Sequence, residues 1–282
     1  MSNIPAEQPV NNTIPPPKFG ATTKKEVLRI ENKTSILTTY DKPESASCFV
    51  GGDTNNYCIY IYVSRGTATA KLMQIYYDAK CYTDNSFKRG VDTEKLIPIV
   101  AEIVRMRYPY VHYLEFTDTS YRQCGNKYSV NLSLMYYLTS GQTWYEKKFG
   151  AYLPPEYKSD FDARQSQFQQ RKQTTSWNTL RGYMPVKLPM DEGVMKELFE
   201  STQTWYDFFG GVMNQIGKEN MCGFLALWVS EFMVDFMKFN FASATYLIDI
   251  EKVPKLSVQI LPYNSAGKRT TQRVRRTKRV MG

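Results

Sequence analysis

Seven positively charged side chains near the C-terminus are the clearest chemical feature of this chain. They are Lys268, Arg269, Arg273, Arg275, Arg276, Lys278 and Arg279. No acidic residue follows Glu251, and these seven side chains carry most of the formal net charge of +9. Such a localised cationic segment can bind nucleic acid phosphates or an acidic protein surface. No aromatic residue follows Tyr263, so we expect no stacking on bases and no reading of base sequence.

The other residue types give little support to metal or triad chemistry. His112 is the only histidine, which excludes histidine-rich metal sites, and no metal site is predicted. No GxxxxGK[ST] or HExxH motif occurs. No serine or cysteine motif supports a catalytic triad. A lone histidine in an expected strand is interpreted as a packed core side chain.

The five cysteines indicate free thiols in a reducing compartment. They are Cys48, Cys58, Cys81, Cys124 and Cys222. They form no CxxC pair and leave an odd count, which fits free thiols better than a disulfide framework. No charged and then apolar segment opens the chain, so we expect no signal peptide and a protein that is not secreted.

A helix, a strand and a second helix are predicted along residues 92–150, and these elements must position any site. In the first helix, apolar residues recur at three- and four-residue steps. Pro98 is expected to bend this helix, because a proline beyond the first turn removes a backbone hydrogen bond. Val111–Phe116 alternates as a strand does. Ahead of this stretch, Tyr57–Val63 and Thr67–Tyr77 are predicted to form an antiparallel hairpin.

Two copies of a QTWY[ED] motif indicate helix starts. In the first copy, Thr143 and Glu146 form a capping box directly after Gly141, which is expected to end the preceding helix. In the second copy, Thr204 and Asp207 have the same relative positions. The flanking residues differ, so we interpret the motif as a shared capping solution and not as a duplication.

Met221–Phe241 is apolar almost all round and is predicted to be a helix buried between protein surfaces. A transmembrane helix is not expected, because Glu231, Asp235 and Lys238 would each cost about 2.5–3.5 kcal/mol at the centre of a bilayer.

The expected fold class is α/β (α+β), with a mixed sheet, flanking helices, a helical insertion and extended N- and C-terminal arms. Six segments are predicted: a proline-rich extended arm (1–26), an α/β core (27–153), a polar linker or insertion (154–190), a helical insertion (191–241), a closing β-hairpin (242–263) and the basic tail (264–282). For residues 1–26 the alternative is a leader without fixed structure.

The element order over residues 57–153 resembles the core of the GNAT acyltransferase fold. The segment YEKKFG at residues 145–150 is similar to the YEK-x-GF pattern that ends the last helix in that family. The resemblance implies an N-acetyltransferase that uses acetyl-CoA. It also implies that Tyr145 is the general acid, and Glu115 on the neighbouring strand is the candidate base.

The same resemblance places the pyrophosphate of the cofactor at the turn formed by Lys88, Arg89 and Gly90. The family has a glycine-rich turn there, because phosphates must approach the backbone amides closely. In this chain one glycine remains, and Asp92 brings a negative charge toward the diphosphate. We therefore expect no bound cofactor.

Three functions remain open. The composition, rich in asparagine, tyrosine and lysine with a proline-rich arm and a basic tail, resembles proteins of large nucleocytoplasmic DNA viruses. The first hypothesis is thus a non-enzymatic structural protein, a minor capsid protein or other virion component, in the virion or host cytoplasm. Its terminal arms would hold it among other proteins of an assembly. The alternative is a GNAT-type N-acetyltransferase using acetyl-CoA, and the second alternative is a nucleic-acid-associated protein acting through its tail.

Overall fold

An eight-stranded mixed sheet lies beside a helical region in the computed structural model, which describes residues 22–52, 57–88, 91–125, 128–239 and 244–263. The strands are β1 (Thr22–Ile30), β2 (Lys33–Asp41), β3 (Ser45–Val50), β4 (Ile59–Ser64), β5 (Thr69–Ile75), β6 (Tyr113–Thr117), β7 (Tyr121–Cys124), β8 (Tyr128–Asn131), β9 (Thr245–Asp249) and β10 (Val258–Pro262). The α-helices are α1 (Leu96–Arg107), α2 (Leu132–Ser140), α3 (Trp144–Phe149), α4 (Pro155–Thr174), α5 (Trp177–Tyr183), α6 (Glu192–Ser201), α7 (Trp205–Ile216), α8 (Lys218–Ala226) and α9 (Val229–Glu231). The predicted mixed α/β class is confirmed.

Strands of the large sheet lie in the order β10-β1-β2-β3-β4-β5-β6-β9. Neighbours are antiparallel except β5 and β6, which are parallel and therefore need the crossover that contains α1. Their pairing joins Thr69–Lys71 to Tyr113–Glu115 and stops there, although β5 continues to Ile75 and β6 to Thr117. The C-terminal ends of β5 and β6 are thus not paired with each other, although β5 remains paired with β4 and β6 with β9.

One face of the sheet and α1 form the first hydrophobic core. In β4, Ile59, Ile61 and Val63 are buried while Tyr60 and Tyr62 are half-buried on the other face, as a two-residue period requires. The expected hairpin of Tyr57–Val63 and Thr67–Tyr77 is present as β4 and β5, which pair antiparallel.

Pro98 does not disturb α1 in the way expected from the sequence. A single 3₁₀ turn over Thr93–Lys95 precedes the helix, which begins only at Leu96. Pro98 therefore lies in the first turn of α1, where a missing N–H costs no intrahelical hydrogen bond.

The helical region and the β7–β8 hairpin form a second core that is rich in aromatic rings. Trp205, Phe208, Phe209 and Phe232 are fully buried in it. Phe161 on α4 contacts both cores, so the helical region is packed against the sheet through this side chain.

Residues 154–190, predicted as a polar linker or insertion, are mostly helical and not an extended linker. Most of them form α4, which has 20 residues, and α5. The polar composition misleads because α4 buries few side chains, chiefly Phe168 and Lys172. The Lys172 ammonium group donates to the carbonyl oxygens of Phe199 (2.8 Å) and Thr202 (3.0 Å) at the C-terminal end of α6, and burial lowers its pKa. This contact joins α4 to α6.

The predicted closing hairpin over residues 242–263 is also wrong. β9 pairs with β6 at one edge of the sheet, and β10 pairs with β1 at the opposite edge. Short consecutive strands usually pair with each other, but here each one pairs with a strand that would otherwise be an open edge.

The helix predicted over Met221–Phe241 is interrupted, and in its described part most apolar side chains are buried whereas Glu231, Asp235 and Lys238 are exposed. It is divided into α8, α9 and a π-helical turn at Phe232–Phe236, and Trp228 lies at the break. Among the described residues, no helix has the length and apolar character needed to cross a membrane.

Four of the five cysteines form disulfides, which overturns the expectation of free thiols. Cys58 is bonded to Cys81, and Cys124 to Cys222. Cys48 keeps a free, buried thiol. No CxxC spacing marks these pairs, because the folded chain and not local sequence brings them together.

The helix caps read from the sequence are confirmed. Thr143 and Glu146 form both hydrogen bonds of the capping box, and Gly141 ends α2 in the left-handed conformation with a φ of 73°. Thr204 caps α7 by accepting a hydrogen bond from the N–H of Asp207.

Candidate functional site

The C-terminal ends of β5 and β6, which are not paired with each other, open into a cleft between the sheet and the helical region. A cavity of about 170 Å³ lies directly between the two strand ends. It adjoins a larger cavity of about 610 Å³, and Ile75, Ser120 and Tyr145 line both. We call the larger cavity the tyrosine cleft and define it by the aromatic side chains that line it: Tyr77, Tyr121, Tyr136, Trp144 and Tyr145.

Tyr145 is held at the centre of this cleft by the start of α3. The capping box fixes the first turn of the helix, and the Tyr145 ring packs against Phe116 (4.6 Å between centroids) and Trp144 (4.9 Å). Burial raises the pKa of Tyr145, and the negative charge of Asp118 adds to the shift. The hydroxyl is therefore protonated at neutral pH and can donate a hydrogen bond.

Glu115, the candidate base, does not face Tyr145. Leu114 and Phe116 of β6 are buried on the core face, and the Tyr145 ring contacts Phe116 there. Because successive strand residues point to opposite faces, Glu115 lies on the other face of the sheet. Its carboxylate forms an ion pair with Lys71 at 3.3 Å. The two residues are thus not brought together as an acid and base pair.

Asp92 is turned inward in the turn before α1. Its side chain is buried and accepts hydrogen bonds from the N–H of Lys88 (2.7 Å) and the hydroxyl of Tyr82 (3.5 Å). The Lys95 ammonium lies 3.8 Å away. The Asp92 carboxylate therefore already accepts the hydrogen bond of a backbone N–H that a phosphate would need. Arg89 and Gly90 of the same predicted site lie outside the described residues.

The far wall of the tyrosine cleft comes from the β7–β8 hairpin and α8. The Cys124–Cys222 disulfide joins these two elements, and Arg122 on β7 forms an ion pair with Glu219 on α8. Lys218 donates a hydrogen bond of 2.6 Å to the Tyr136 hydroxyl.

The β7–β8 hairpin of this wall was not predicted from the sequence, because residues 127–150 were expected to belong to the second helix. A Gly125–Asn126 dipeptide between two short runs of strand-forming residues is the signal that could have identified the hairpin. Gly125 has a φ of 64° in the turn, which glycine adopts without strain.

Asp118 is a further residue that the sequence did not single out. It is buried, and its carboxylate accepts hydrogen bonds from the backbone N–H and hydroxyl of Ser120 (3.0 and 2.5 Å) and from the hydroxyl of Ser133. These contacts hold the β6–β7 connection against α2, and they fix the negative charge beside Tyr145.

The remaining candidate residues lie apart from the cleft. His112 is exposed before β6 and is not the core side chain that was expected. The Cys48 thiol is buried near the Tyr108 hydroxyl (3.3 Å), and burial raises its pKa. In the described ranges, no group of three or more histidine, cysteine or acidic residues could hold a metal ion. The seven basic residues of the tail lie outside the described residues.

No protein-family model, curated protein or solved structure matches the chain.

Proposed function

We propose that this chain is a non-enzymatic structural protein, a minor capsid protein or other virion component of a large DNA virus. The observation that carries the proposal is the buried carboxylate of Asp92, which accepts the Lys88 N–H in the turn where an acyltransferase would bind pyrophosphate. A phosphate at this turn would find the Lys88 N–H already hydrogen-bonded, and the negative charge of Asp92 would repel it.

The arrangement of the candidate acid and base supports the same proposal. Glu115 and Tyr145 lie on opposite faces of β6, so a substrate at the Tyr145 hydroxyl has no carboxylate base from Glu115 within hydrogen-bond reach. The aromatic cleft around Tyr145 suits the binding of another protein segment, since tyrosine and tryptophan are enriched where proteins bind each other. The virion assignment itself rests on the composition and on the terminal segments of the sequence.

Calorimetric titration of the full-length protein with acetyl-CoA tests the non-enzymatic part of the proposal. We expect no heat of binding at tens of micromolar cofactor. Saturable binding that inorganic pyrophosphate competes for and that Gly90→Glu abolishes would overturn it. Gly182→Glu is the matched control, because Gly182 lies in α5 with open space around it.

Quantitative mass spectrometry of purified particles tests the virion part. Protease-treated particles of the virus that encodes this chain should contain the protein at a constant ratio to the major coat protein. A protein that is abundant in infected cells but missing from these particles would contradict the proposal.

An acyltransferase is the second candidate, and one observation favours it. The mixed sheet has a parallel β5–β6 pair whose strands are not paired with each other beside Tyr145, a layout compatible with the GNAT-like core. An acetyl-transfer assay with a panel of amines tests this candidate. Turnover by the wild type that falls at least about a hundredfold in Tyr145→Phe, as expected for a general acid, would establish it.

A further inference from the structure

The tyrosine cleft combines aromatic rings with hydrogen-bond donors that are not used inside the described fold. Within that part of the chain, the indole N–H of Trp144 and the hydroxyl of Tyr145 donate to no other residue. Both side chains are half-buried and line the cleft. A ligand that offers carbonyl oxygens and apolar surface would match these groups.

Charges on the cleft wall balance each other. The charged side chains that line it are Glu94, Arg122, Lys218 and Glu219. Two are acidic and two are basic, and Arg122 already pairs with Glu219. Glu94 pairs with Lys148 at 3.1 Å just outside the lining. The cleft therefore does not favour an anionic ligand such as nucleic acid, and it suits a segment that is neutral at its centre.

Disulfides hold the walls of the tyrosine cleft in place in the absence of a ligand. Tyr121 lies on β7, which the Cys124–Cys222 disulfide ties to α8. Tyr77 follows β5 in the loop that the Cys58–Cys81 disulfide closes. Preformed walls lower the entropic cost of binding an extended segment.

A run of prolines fits this chemistry. Consecutive prolines favour the polyproline II conformation, expose their carbonyl oxygens and have no N–H of their own. Aromatic-lined grooves bind such segments. The N-terminal part of this chain contains three consecutive prolines, Pro15, Pro16 and Pro17, followed by Lys18.

We propose that the tyrosine cleft binds the segment Pro15–Lys18 of a second copy of this chain. The inference rests on the proposed structural function and names one partner of the assembly. The segment carries its positive charge at one end, where it can approach the exposed acids Glu94 and Glu219 at the rim.

The length of the chain before β1 excludes the same copy as the source. Thr22, the first described residue, lies in register with one residue of each successive strand up to β5: Asp41, Ala46, Val63 and Ala70. Four strand spacings take about 19 Å across the sheet, and the step from Ala70 to Ile75 adds about 17 Å along it. The cleft is therefore about 25 Å from Thr22 in a straight line. Pro17 precedes Thr22 by five residues, which span at most about 18 Å.

A contact of this kind is heterologous, because a segment near the N-terminus of one copy fills the cleft of the next. Such contacts are exchanged reciprocally between two copies, close into larger rings or continue into filaments. A structural protein that uses them would link neighbouring copies in series.

Sedimentation equilibrium of the full-length protein at physiological ionic strength tests the proposal. We expect self-association that weakens about tenfold or more in Tyr121→Ala, since a buried aromatic anchor at an interface carries this much. Replacing Pro15, Pro16 and Pro17 together by alanine should weaken it equally. Trp144→Phe, which keeps a ring and removes the N–H donor, should weaken it several-fold.

Matched controls separate the cleft and the proline run from nearby surface. Tyr76→Ala removes an exposed tyrosine next to the cleft that does not line it. Pro5→Ala with Pro9→Ala changes prolines of the same N-terminal part. Neither control should alter the association constant.

Mixing two variants gives the sharpest result. Tyr121→Ala protein still has an intact proline segment, and the triple-alanine protein still has an intact cleft. Each variant alone should associate about tenfold more weakly than wild type, while their mixture should form a heterodimer with close to wild-type affinity. A synthetic peptide of residues 11–21 should compete with the wild-type association.

The opposite outcomes are equally definite. A full-length protein that stays monomeric, or a mixture that forms no heterodimer, overturns the inference, even if the peptide binds and thus points to another protein as the occupant. In that case the proposed function still stands on the acetyl-CoA titration and the particle content. Acetyl-CoA binding, by contrast, would remove the proposed function itself.

Discussion

Asp92 lies at the end of the turn before α1, with its carboxylate directed inward at the Lys88 N–H and the Tyr82 hydroxyl. A buried carboxylate in such a turn acts as an internal anion, because it takes the backbone donor that an external phosphate would need. Burial and the Asp92 charge also raise the pKa of Tyr82, so the hydroxyl remains protonated and keeps donating.

Replacing Asp92 by alanine should lower the free energy of unfolding by about 1–3 kcal/mol, because the Lys88 N–H and the Tyr82 hydroxyl lose their acceptor. Urea unfolding at neutral pH measures the change. Glu94→Ala is the control, since Glu94 is exposed two residues further on and its carboxylate pairs only at the surface. Equal effects of both variants would mean that the Asp92 contacts do not hold the turn.

The lowered pKa of Glu26 should make the stability of the protein fall at acid pH. Burial alone would raise its pKa, but hydrogen bonds and charges from Arg107 and Lys24 outweigh burial and hold the pKa below its ordinary value of 4.5. A folded-state pKa below the unfolded one adds stability that is present above pH 4.5 and lost as the pH falls through the folded value.

The Glu26→Gln variant should therefore be less stable than wild type at neutral pH, and its stability should fall less steeply below pH 4.5. Urea midpoints across the acid range measure both slopes. Glu44→Gln, which removes an exposed carboxyl directly before β3, is the control variant. Parallel curves for Glu26→Gln and wild type would show that this carboxyl does not contribute.

At the scale of elements, the sequence predicts those structural features that depend only on residues close together in the chain. A cap depends on residues three positions apart, so Thr143 with Glu146 and Thr204 with Asp207 could be identified directly. The β4–β5 hairpin and α1 follow from local periodicity in the same way. Pro98 shows where prediction from local sequence stops. Because α1 begins only at Leu96, the proline lies in the first turn and does not bend the helix.

The tyrosine cleft could not be predicted in this way. Tyr136 and Lys218 are 82 residues apart, and Arg122 and Glu219 are 97 apart. Arg122 meets Glu219 because the β7–β8 hairpin packs on α8, and Lys218 reaches Tyr136 on α2. No short window of sequence contains these tertiary contacts. The partners of β9 and β10 were likewise decided by which sheet edges remained open, which requires knowledge of the whole sheet.

The two disulfides should contribute unequally to stability. Their cysteines are 23 residues apart in Cys58–Cys81 and 98 apart in Cys124–Cys222. The chain-entropy relation then gives about 3.4 and about 4.7 kcal/mol, because a longer closed loop restricts the unfolded chain more. Replacing each pair by alanine and measuring urea unfolding under oxidising conditions checks the order.

Cys48→Ala serves as the reference for losing a buried sulfur without losing a cross-link. Unfolded, oxidised protein should also react with one equivalent of a thiol reagent per chain, from Cys48. If five thiols react, or if both alanine pairs cost no more than Cys48→Ala, the disulfides do not form.

At the scale of the whole molecule, charge is concentrated at the C-terminal end of the sequence. If the basic tail binds duplex DNA and about five of its seven side chains engage, log K should fall with log salt at a slope of about −4 to −5. Titrations of labelled duplex at several salt concentrations measure this slope. Deleting Lys268–Gly282 should remove the salt dependence, because no acid after Glu251 offsets these charges.

The same deletion should leave the melting temperature nearly unchanged, since the deleted segment has only three large apolar side chains, Val274, Val280 and Met281, to contribute to a core. A deletion that unfolds the protein would show that the tail is a structural arm. Affinity that ignores salt would end the nucleic-acid hypothesis.

The placement of β9 and β10 has a consequence for how the protein is made. Both outer strands of the sheet come from the end of the described chain, after Ala244, whereas β1 emerges from the ribosome first. Until β9 and β10 have been synthesised, one edge of β1 and one edge of β6 have no paired strand. Unpaired strand edges can bind other chains and lead to aggregation. The nascent protein is most vulnerable in this interval and is the form on which a chaperone would act. A premature stop before Thr245 would release a sheet with two open edges, not a smaller stable domain.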